Sequence, residues 1–564
     1  MDTATLNLIW SDGLMDGLAS AGIRRLVISP GSRSTPLVLA VNRHPNLHSW
    51  QHPDERSAAF FALGMATHEH KPVALIATSG SAPAHWLPAV IEANRSGIPL
   101  ILLSADRPPE LQHCGANQTV DQTHLFGSQI RAYYDAGTPV DDPQALEWIR
   151  SLGIQAAHRA CWPEPGPVHI NLPFREPLIP STWPEPPVTG PCVPIADNLT
   201  LPDGLQIQRI CRLLKRGRGL IICGPGAFED VFPEAVTALA RQLNCPLLAD
   251  PLSPLRFGPH DHSHIISRYD SMLRGNDFSS GAGLDWVLRF GAAPVSKALL
   301  DYLARRKPPL VLCAPRGDWP DTLHQVAEMV RTSPSLLCTA LTDSELTLGP
   351  ADWLDKFTSA ETAIDRLTLP EADRPFEAAI IKQLIAALPE GASLFSGNSL
   401  PIRQLDLWSG QGEKTLRILA NRGASGIDGN ISSLMGLAAA ASGPIVGLLG
   451  DLAFFHDMNG LLFAKDLNGV IVLLNNNGGG IFGHLPQASL KQFEEQWLMP
   501  TNLDFAQAAR LFSLQYQRVE RQSQFGPALE AGLKSRGMSL IEVMLDREAS
   551  LIRHKQYLKA SESC

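Results

Sequence analysis

The sequence predicts an α/β protein of three domains, each a parallel sheet flanked by helices. Three observations carry that prediction. Short continuous apolar runs recur along the whole chain, longer helical patterns alternate with them, and 564 residues are too many for one core at roughly 100–200 residues per domain. A strand covered on both faces reads as an unbroken apolar run, as a parallel sheet between helices requires.

In chain order the strand runs are RLVIS (25–29), VALIAT (73–78), LILLSA (100–105), GLIICG (219–224), LVLCAP (310–315), IVGLLG (445–450) and VIVLLN (470–475). The proline-rich stretch REPLIPSTWPEPPVTGPCVP (175–194) lets neither a helix nor an inner strand continue. A softer break covers LGPADW (348–353) and LPEADRPFE (369–377). Domains are therefore expected at 1–180, 195–350 and 370–564, with the tail HKQYLKASESC frayed.

Composition narrows the class. Hydrophobic residues make up 44% and charged residues 18%, an ordinary globular balance, and the net charge of −9 argues against a nucleic-acid partner. Nine scattered cysteines with no CxxC pair suit a reducing compartment rather than a disulfide framework. The N-terminus lacks the basic start and apolar run of a secretory signal, and no run approaches 18 uninterrupted apolar residues. A cytoplasmic protein with no membrane span is the expectation.

The most informative segment is PIVGLLGD (444–451), a buried strand ending in Gly450-Asp451. A helical stretch (about 455–466) follows, then GVIVLL, ending in Asn475-Asn476-Asn477-Gly478-Gly479-Gly480. In such a βαβ unit the two strands run parallel and their carboxyl ends share one edge. Asp451 and Asn476, 25 positions apart, then converge where α/β sheets bind ligands. A carboxylate, an amide oxygen and a backbone carbonyl suit Mg²⁺, and the glycines let backbone approach a diphosphate. The residues alone equally allow a sheet-edge loop with solvated Asp and Asn.

This arrangement resembles the signature of the thiamine-diphosphate-dependent enzymes, Gly-Asp-Gly followed about two dozen residues later by Asn-Asn. Leu452 replaces the third-position glycine, a change that the menaquinone-pathway branch of the family tolerates. The resemblance implies pyrimidine-binding, central and diphosphate-binding domains, in that order. It also implies thiamine diphosphate with Mg²⁺ (or Mn²⁺) held by Asp451, the Asn476 side chain and the Gly478 carbonyl.

Family members activate the cofactor with a glutamate that favours its imino tautomer. The matching residue is Glu55 in QHPDERSAAFFALGMA (51–66), where a polar turn enters a small-residue helix. Acidic residues favour a helix's first turn for dipole reasons alone, and without the resemblance that ordinary reading of Glu55 would prevail. In the family this acid faces the diphosphate domain of a second subunit, implying a homodimer or homotetramer with active sites at the interface. TSGSA (78–82) resembles the family's TSGTA turn and points to Gly80 beside the cofactor.

Further segments resemble the branch that joins 2-oxoglutarate to isochorismate. They are ISPGSRSTPL (28–37) with Ser32 and Arg33, SADRPPEL (104–111) with Arg107, HCGANQTVDQ (113–122) with Asn117 and Gln118, and RFGAAPVSKALL (289–300) with Lys297. GNSLPIRQ (397–404) adds Ser399 and Arg403, and NRGASGIDG (421–429) adds Arg422 and Ile427. Taken one at a time, each of these arginines reads as a surface or ion-pair residue more readily than as a substrate ligand. Together, in strand-end and Gly/Ser-rich loops, they suit substrates with two carboxylates each, since arginine forks bind carboxylates bidentately.

By resemblance Arg403 and Arg422 hold the succinyl part, while Ser32, Arg33, Arg107, Asn117 and Lys297 hold isochorismate. Ile481, Phe482 and Ile427 either wall the cofactor and acceptor or simply pack in the core. The implied reaction decarboxylates 2-oxoglutarate and adds the succinyl semialdehyde carbanion to isochorismate in a 1,4-addition, toward menaquinone or phylloquinone.

Two alternatives stay open: another thiamine-diphosphate decarboxylase or carboligase, and a non-catalytic binding protein that keeps the fold. The intact Glu55, Asp451 and Asn476 argue against the second. CGPGAFED (223–230) lacks the full GxGxxG pattern of a dinucleotide site.

Overall fold

In the computed structural model, three six-stranded parallel sheets follow one another along the chain. The structure describes residues 1–185, 191, 194–195, 199–215, 217–275, 278, 283–368 and 373–562. The first sheet has β1 (Arg25–Ile28), β2 (His48–Gln51), β3 (Val73–Ala77), β4 (Leu100–Asp106), β5 (Ala132–Asp135) and β6 (Pro167–Pro173), in the order β2-β1-β3-β4-β6-β5. The central sheet has β7 (Gly219–Cys223), β8 (Leu247–Ala249), β9 (Ile265–Ile266), β10 (Trp286–Phe290), β11 (Leu310–Cys313) and β12 (Val326–Val330), in the order β12-β11-β10-β7-β8-β9. The third has β13 (Ser393–Ser396), β14 (Arg417–Leu419), β15 (Ile445–Gly450), β16 (Gly469–Asn475), β17 (Gln515–Val519) and β18 (Met538–Met544), in the order β14-β13-β15-β16-β18-β17.

Every apolar run singled out in the sequence is one of these strands. The edge strands HSWQ (48–51), AYYD (132–135) and QYQRV (515–519) are half-exposed and carry no such run, which is why hydropathy passes over them.

The chain forms two compact units. One comprises Met1–Ala196, Asn421–Ser442 and Ala453–Leu467, and the other Asp197–Ala420, Gly443–Leu452 and Asn468–Cys564. Within the first unit the helices Glu55–Glu69 and Asn430–Ala440 cross in backbone contact. A Cβ on Gly64 would lie 2.0 Å from the Ser433 carbonyl oxygen, and one on Gly436 would lie 1.9 Å from that of Phe61. Phe61 stacks on Phe463 at 3.9 Å beside the crossing. Asp457 anchors the start of the second helix, accepting from Ser432 N (2.6 Å) and Oγ (3.0 Å).

Three local expectations are refined. The stretch after β15 is a short α-helix, Asp451–His456, followed by a 3-10 helix, Met458–Asp466. A helix, Ala351–Asp365, starts inside the expected break at 348–353 and fills the interval to 369–377. The tail expected to fray is helical through Ser561, capped by Asp546 and pinned by buried Tyr557. Residues 186–190 and 192–193 of the proline-rich stretch and 369–372 of the second break lie outside the described residues. So do Cys192 and Cys564, and no disulfide joins any two of the seven described cysteines. Among the described residues no helix is long and apolar enough to cross a membrane.

Candidate active site

Along the first sheet, the carboxyl ends of β2, β1, β3 and β4 are neighbours on one edge, and each delivers a residue singled out in the sequence. After β2 the chain turns through Pro53 into the helix Glu55–Glu69. Asp54 caps that helix, accepting from the N–H of Arg56 (3.0 Å) and Ser57 (3.3 Å) and from Asn459 Nδ2 (3.0 Å). The capping task thus falls to Asp54. Glu55 projects from the first turn, half-buried, with no hydrogen bond or ion pair among the described residues. The fold holds this carboxylate without using it.

After β1, Ser32 is exposed and Arg33 is buried. Arg33 donates to Phe174 O (2.8 Å) and to Glu176 Oε1 (2.7 Å), while its buried Nε has no acceptor. Burial, and then the charge of neighbouring Arg107, holds its guanidinium below the usual range. After β3, Gly80 adopts φ +88° and its N–H donates to Gln122 Oε1 (3.0 Å).

The segment after β4 is fastened onto this turn. Gln118 Nε2 donates to Ser79 O (3.1 Å) and Ser79 Oγ to Gln118 O (2.9 Å), so the Gln118 amide serves the loop itself. Arg107 Nε donates to Asn117 O (3.2 Å), leaving the exposed Asn117 side chain outward.

The third sheet builds a second edge, in the other unit, from the neighbouring strands β13, β15 and β16. Asp451, 4% exposed, opens the helix after β15. Its Oδ1 accepts from Leu452 N (2.7 Å) and its Oδ2 from Gly478 N (2.7 Å). The carboxylate and the glycine turn after β16 therefore meet, as the βαβ argument requires. Burial raises the Asp451 carboxyl above its ordinary range, against the pull of these N–H groups.

The three consecutive asparagines divide the work. Asn475 donates to Glu542 Oε1 (2.6 Å) and accepts from Asn477 N (2.9 Å). Asn477, at φ +57°, bonds Asn502 through both its amide atoms (2.9 and 3.0 Å). Asn476 lies between them with its Oδ1 buried and without a hydrogen-bond partner. Gly478 permits this turn: it sits at φ +86°, and a Cβ there would lie 2.0 Å from Met499 O. Ile481 and Phe482 follow, half-buried, on the short 3-10 helix Gly480–His484.

Ser399 and Arg403 stand at the end of β13 on the same sheet. Ser399 takes φ +71° just before the helix Leu400–Trp408, and Arg403 Nη1 donates to its carbonyl (2.6 Å). Lys297 begins the helix after β10 in the central sheet, 80% exposed and paired with Asp301 (2.7 Å). The residue before it, Ser296, donates to Asp270 Oδ1 (2.5 Å), and the Asp270 charge also acts on Arg403. Arg422 and Ile427 belong to the first unit, half-buried on the loop 421–429.

Sequence reasoning missed several supports. Gln122 bridges Gly80 to Asn171 Oδ1 (2.8 Å), and Asn171 in turn donates to Asp106 Oδ2 (2.9 Å), all buried. Glu92 grips the backbone at 423–424. Only the Asn-Asn-Asn run carried a visible signal, because three adjacent amides at a strand end seldom serve one purpose.

The donor set at 451–478 suits a hard divalent cation. It offers one buried carboxylate and one orphaned amide oxygen, and it would need phosphate and water to complete six ligands. Among the described residues no group of three His, Cys, Asp or Glu side chains could hold a metal alone. The turns of the central sheet, in contrast, close on each other: Gly224 N donates to Phe290 O (2.9 Å) and Ala292 N to Pro225 O (2.8 Å). Their glycines serve close packing.

Comparison with known proteins follows the same division. Residues 10–125 match the family model of the thiamine pyrophosphate enzyme N-terminal TPP binding domain, residues 200–396 the middle domain, and residues 404–543 the C-terminal TPP binding domain. The chain is 46% identical over 545 residues to the 2-succinyl-5-enolpyruvyl-6-hydroxy-3-cyclohexene-1-carboxylate synthase of Dechloromonas aromatica (strain RCB), covering 96% of this chain and 99% of that protein. It is 42% identical to the protein of that name from Geobacillus thermodenitrificans (strain NG80-2), covering 96% and 94%, and 39% identical to that from Haloarcula marismortui, covering 97% and 96%. The crystal structure of benzoylformate decarboxylase from Polynucleobacter necessarius shares the fold, with a TM-score of 0.73 at 17% identity over 95% of this chain and 98% of that one. On similarity of this degree over nearly the full length, the chain belongs to the 2-succinyl-5-enolpyruvyl-6-hydroxy-3-cyclohexene-1-carboxylate synthases, a family of thiamine pyrophosphate enzymes.

Proposed function

We propose that this protein decarboxylates 2-oxoglutarate and joins the remaining four-carbon unit to isochorismate by 1,4-addition, releasing CO₂, in menaquinone or phylloquinone biosynthesis. The single observation that carries the reading is the meeting of buried Asp451 with the Asn-Asn-Asn-Gly turn at Gly478 N, a turn in which Asn476 Oδ1 is buried without a hydrogen-bond partner. Relatives alike over nearly the whole chain bear the synthase name, which supports the choice of substrates.

The residues take roles as follows. Asp451, the Asn476 side chain and the Gly478 carbonyl would hold Mg²⁺ (or Mn²⁺), whose charge would offset that of a diphosphate at this edge. Bound thiamine diphosphate supplies the carbanion chemistry and the electron sink for decarboxylation. Glu55, with no hydrogen bond or ion pair among the described residues, would present its carboxyl group to a pyrimidine ring nitrogen and share a proton there, favouring the reactive tautomer. Gly80 brings backbone close to that ring, and Ile427, Ile481 and Phe482 exclude water around the reacting atoms.

Arg403 and Arg422 bind the carboxylates of the 2-oxo acid. Ser32, Arg33, Arg107, Asn117, Gln118 and Lys297 receive isochorismate. Arg33, paired with Glu176 through Nη2 but orphaned at Nε, and its neighbour Arg107 bring two cations together, which suits a dicarboxylate. The domains 1–180, 195–350 and 370–564 act as pyrimidine-binding, central and diphosphate-binding parts. A cytoplasmic homodimer or homotetramer with shared active sites is the form in which they work.

The test is loss of isochorismate absorbance in an assay containing thiamine diphosphate, Mg²⁺ and 2-oxoglutarate. Omitting any one component should abolish the signal. Turnover of 2-oxoglutarate to a free aldehyde, with isochorismate left unconsumed, would instead mark a simple decarboxylase.

A further inference from the structure

We infer that Glu92 is a positioning residue for the loop bearing Arg422 and Ile427, and through it a determinant of selectivity for a 2-oxo acid with a second carboxylate. Glu92 lies on the helix Leu87–Ser96 and is 3% exposed. Its Oε1 accepts from Gly423 N (2.6 Å) and Ser96 Oγ (2.8 Å), and its Oε2 accepts from Ala424 N (2.6 Å). The partners are 331 and 332 positions away along the chain but in the same unit. Among the described residues no lysine or arginine pairs with this buried carboxylate.

Two successive backbone N–H groups aimed at one anion form a concave nest, and bonds to a charged acceptor are the strong kind. An isolated buried carboxylate is costly, so an arrangement that satisfies it with the amides of one loop fixes that loop in return. Contact reinforces the grip. A Cβ on Gly423 would lie 2.6 Å from Glu92 O and 2.7 Å from Ser96 Oγ, so the loop backbone rests directly on the helix. The far end of the loop is tied as well, since Asn430 Nδ2 donates to Gly426 O (3.3 Å) and Asp428 O (3.1 Å).

Arg422 immediately precedes the two gripped amides, so its side chain leaves from a backbone held on one side by Glu92. A flexible arginine recognises a distal carboxylate well only when its origin is fixed. The inference rests on the reading of Arg422 as that cation.

Glu92→Gln keeps the side chain's size but turns one acceptor oxygen into a donor facing an N–H. The folded variant is expected to lose protection of the 421–429 backbone amides about tenfold in hydrogen exchange of the cofactor-free protein, with the 445–452 strand unchanged. With cofactor, the kcat/KM preference for 2-oxoglutarate over 2-oxovalerate, which lacks the distal carboxylate, should fall about tenfold, chiefly through the KM for 2-oxoglutarate.

Gly423→Ala displaces the same loop without altering the carboxylate and should reproduce the loss of preference, which keeps the test available if Glu92→Gln does not fold. Wild-type exchange and wild-type preference in either folded variant would overturn the inference. Arg422→Ala separates the two layers. If it leaves the preference intact, the reading of Arg422 falls, while the exchange result still decides whether Glu92 holds the loop.

Discussion

Arg256 and Asp451 are both buried charges of the second unit, and their surroundings differ. Arg256, fully buried, donates to Ala249 O, Asp406 O and Ser409 Oγ and pairs with the Asp406 carboxylate, which also accepts from Tyr269 OH. Asp250 nearby has both oxygens occupied by the N–H groups of Leu252 and Val295. At the edge of the third sheet, Asp451 has backbone donors but no cationic partner among the described residues, and beside it Asn476 Oδ1 has no donor. Glu55 on the first sheet is similarly unengaged. The central network is complete in itself. In the proposed function the cofactor and its cation complete the sheet-edge groups, which offsets part of the cost of burying a polar group without a partner.

That contrast breaks first at Glu55. Glu55→Gln should lower kcat by about 10²- to 10⁴-fold, the usual contribution of a positioned acid, with an unchanged thermal midpoint because no native hydrogen bond is lost. A lowered midpoint with unchanged turnover would place Glu55 among the structural residues. The converse variant is Asp406→Leu, which strands Arg256. Breaking a buried pair on one side costs about 3–5 kcal/mol. Urea denaturation should register that loss, while the folded fraction keeps its kcat. Asn476→Ala should leave stability near wild type and weaken Mg²⁺-dependent retention of thiamine diphosphate by about a hundredfold, read by calorimetric titration. Equal affinity in the variant would remove Asn476 from the cation site.

The same contrast explains what was legible in the sequence. Central strands such as IVGLLG and VIVLLN announce themselves because parallel strands are buried on both faces, and the βαβ rule then brings Asp451 to Gly478 from spacing alone. Glu55 was legible as a helix start, though the sequence did not show that Asp54 would take the capping role and leave it free. What stayed hidden is long-range and polar. The helix 430–440, NISSLMGLAAA, is almost uniformly small and apolar, so no stripe betrays that it crosses the helix 55–69 in the first unit. Glu92 reads as one more polar helical residue, and its partners are backbone amides, which no side-chain pattern encodes. Lys297 shows the reverse limit, since resemblance singles it out and the structure pairs it with Asp301 on an exposed helix face.

The smallest predicted effect concerns a buried carboxylate of intermediate kind. Asp457 is satisfied by Ser432 N and Oγ, like the nested Glu92, and among the described residues has no ion pair, like Asp451. Burial pushes its carboxyl up to about 6 from an ordinary 3.8. The folded protein therefore binds a proton more tightly than the unfolded chain does. That stabilisation is fully present below the unfolded value and is lost as pH rises through the folded one. Between pH 5 and pH 7 the loss should be about 1 kcal/mol, and Asp457→Asn, which cannot titrate, should lack it. The measurement is the difference in unfolding free energy between wild type and variant at the two pH values, which cancels the other titrating groups. A difference that shrinks or changes sign toward pH 7 in favour of the variant places Asp457 with the acids held by neutral donors alone. Parallel profiles would mean that the Ser432 donors compensate the Asp457 charge and that burial does not raise its carboxyl.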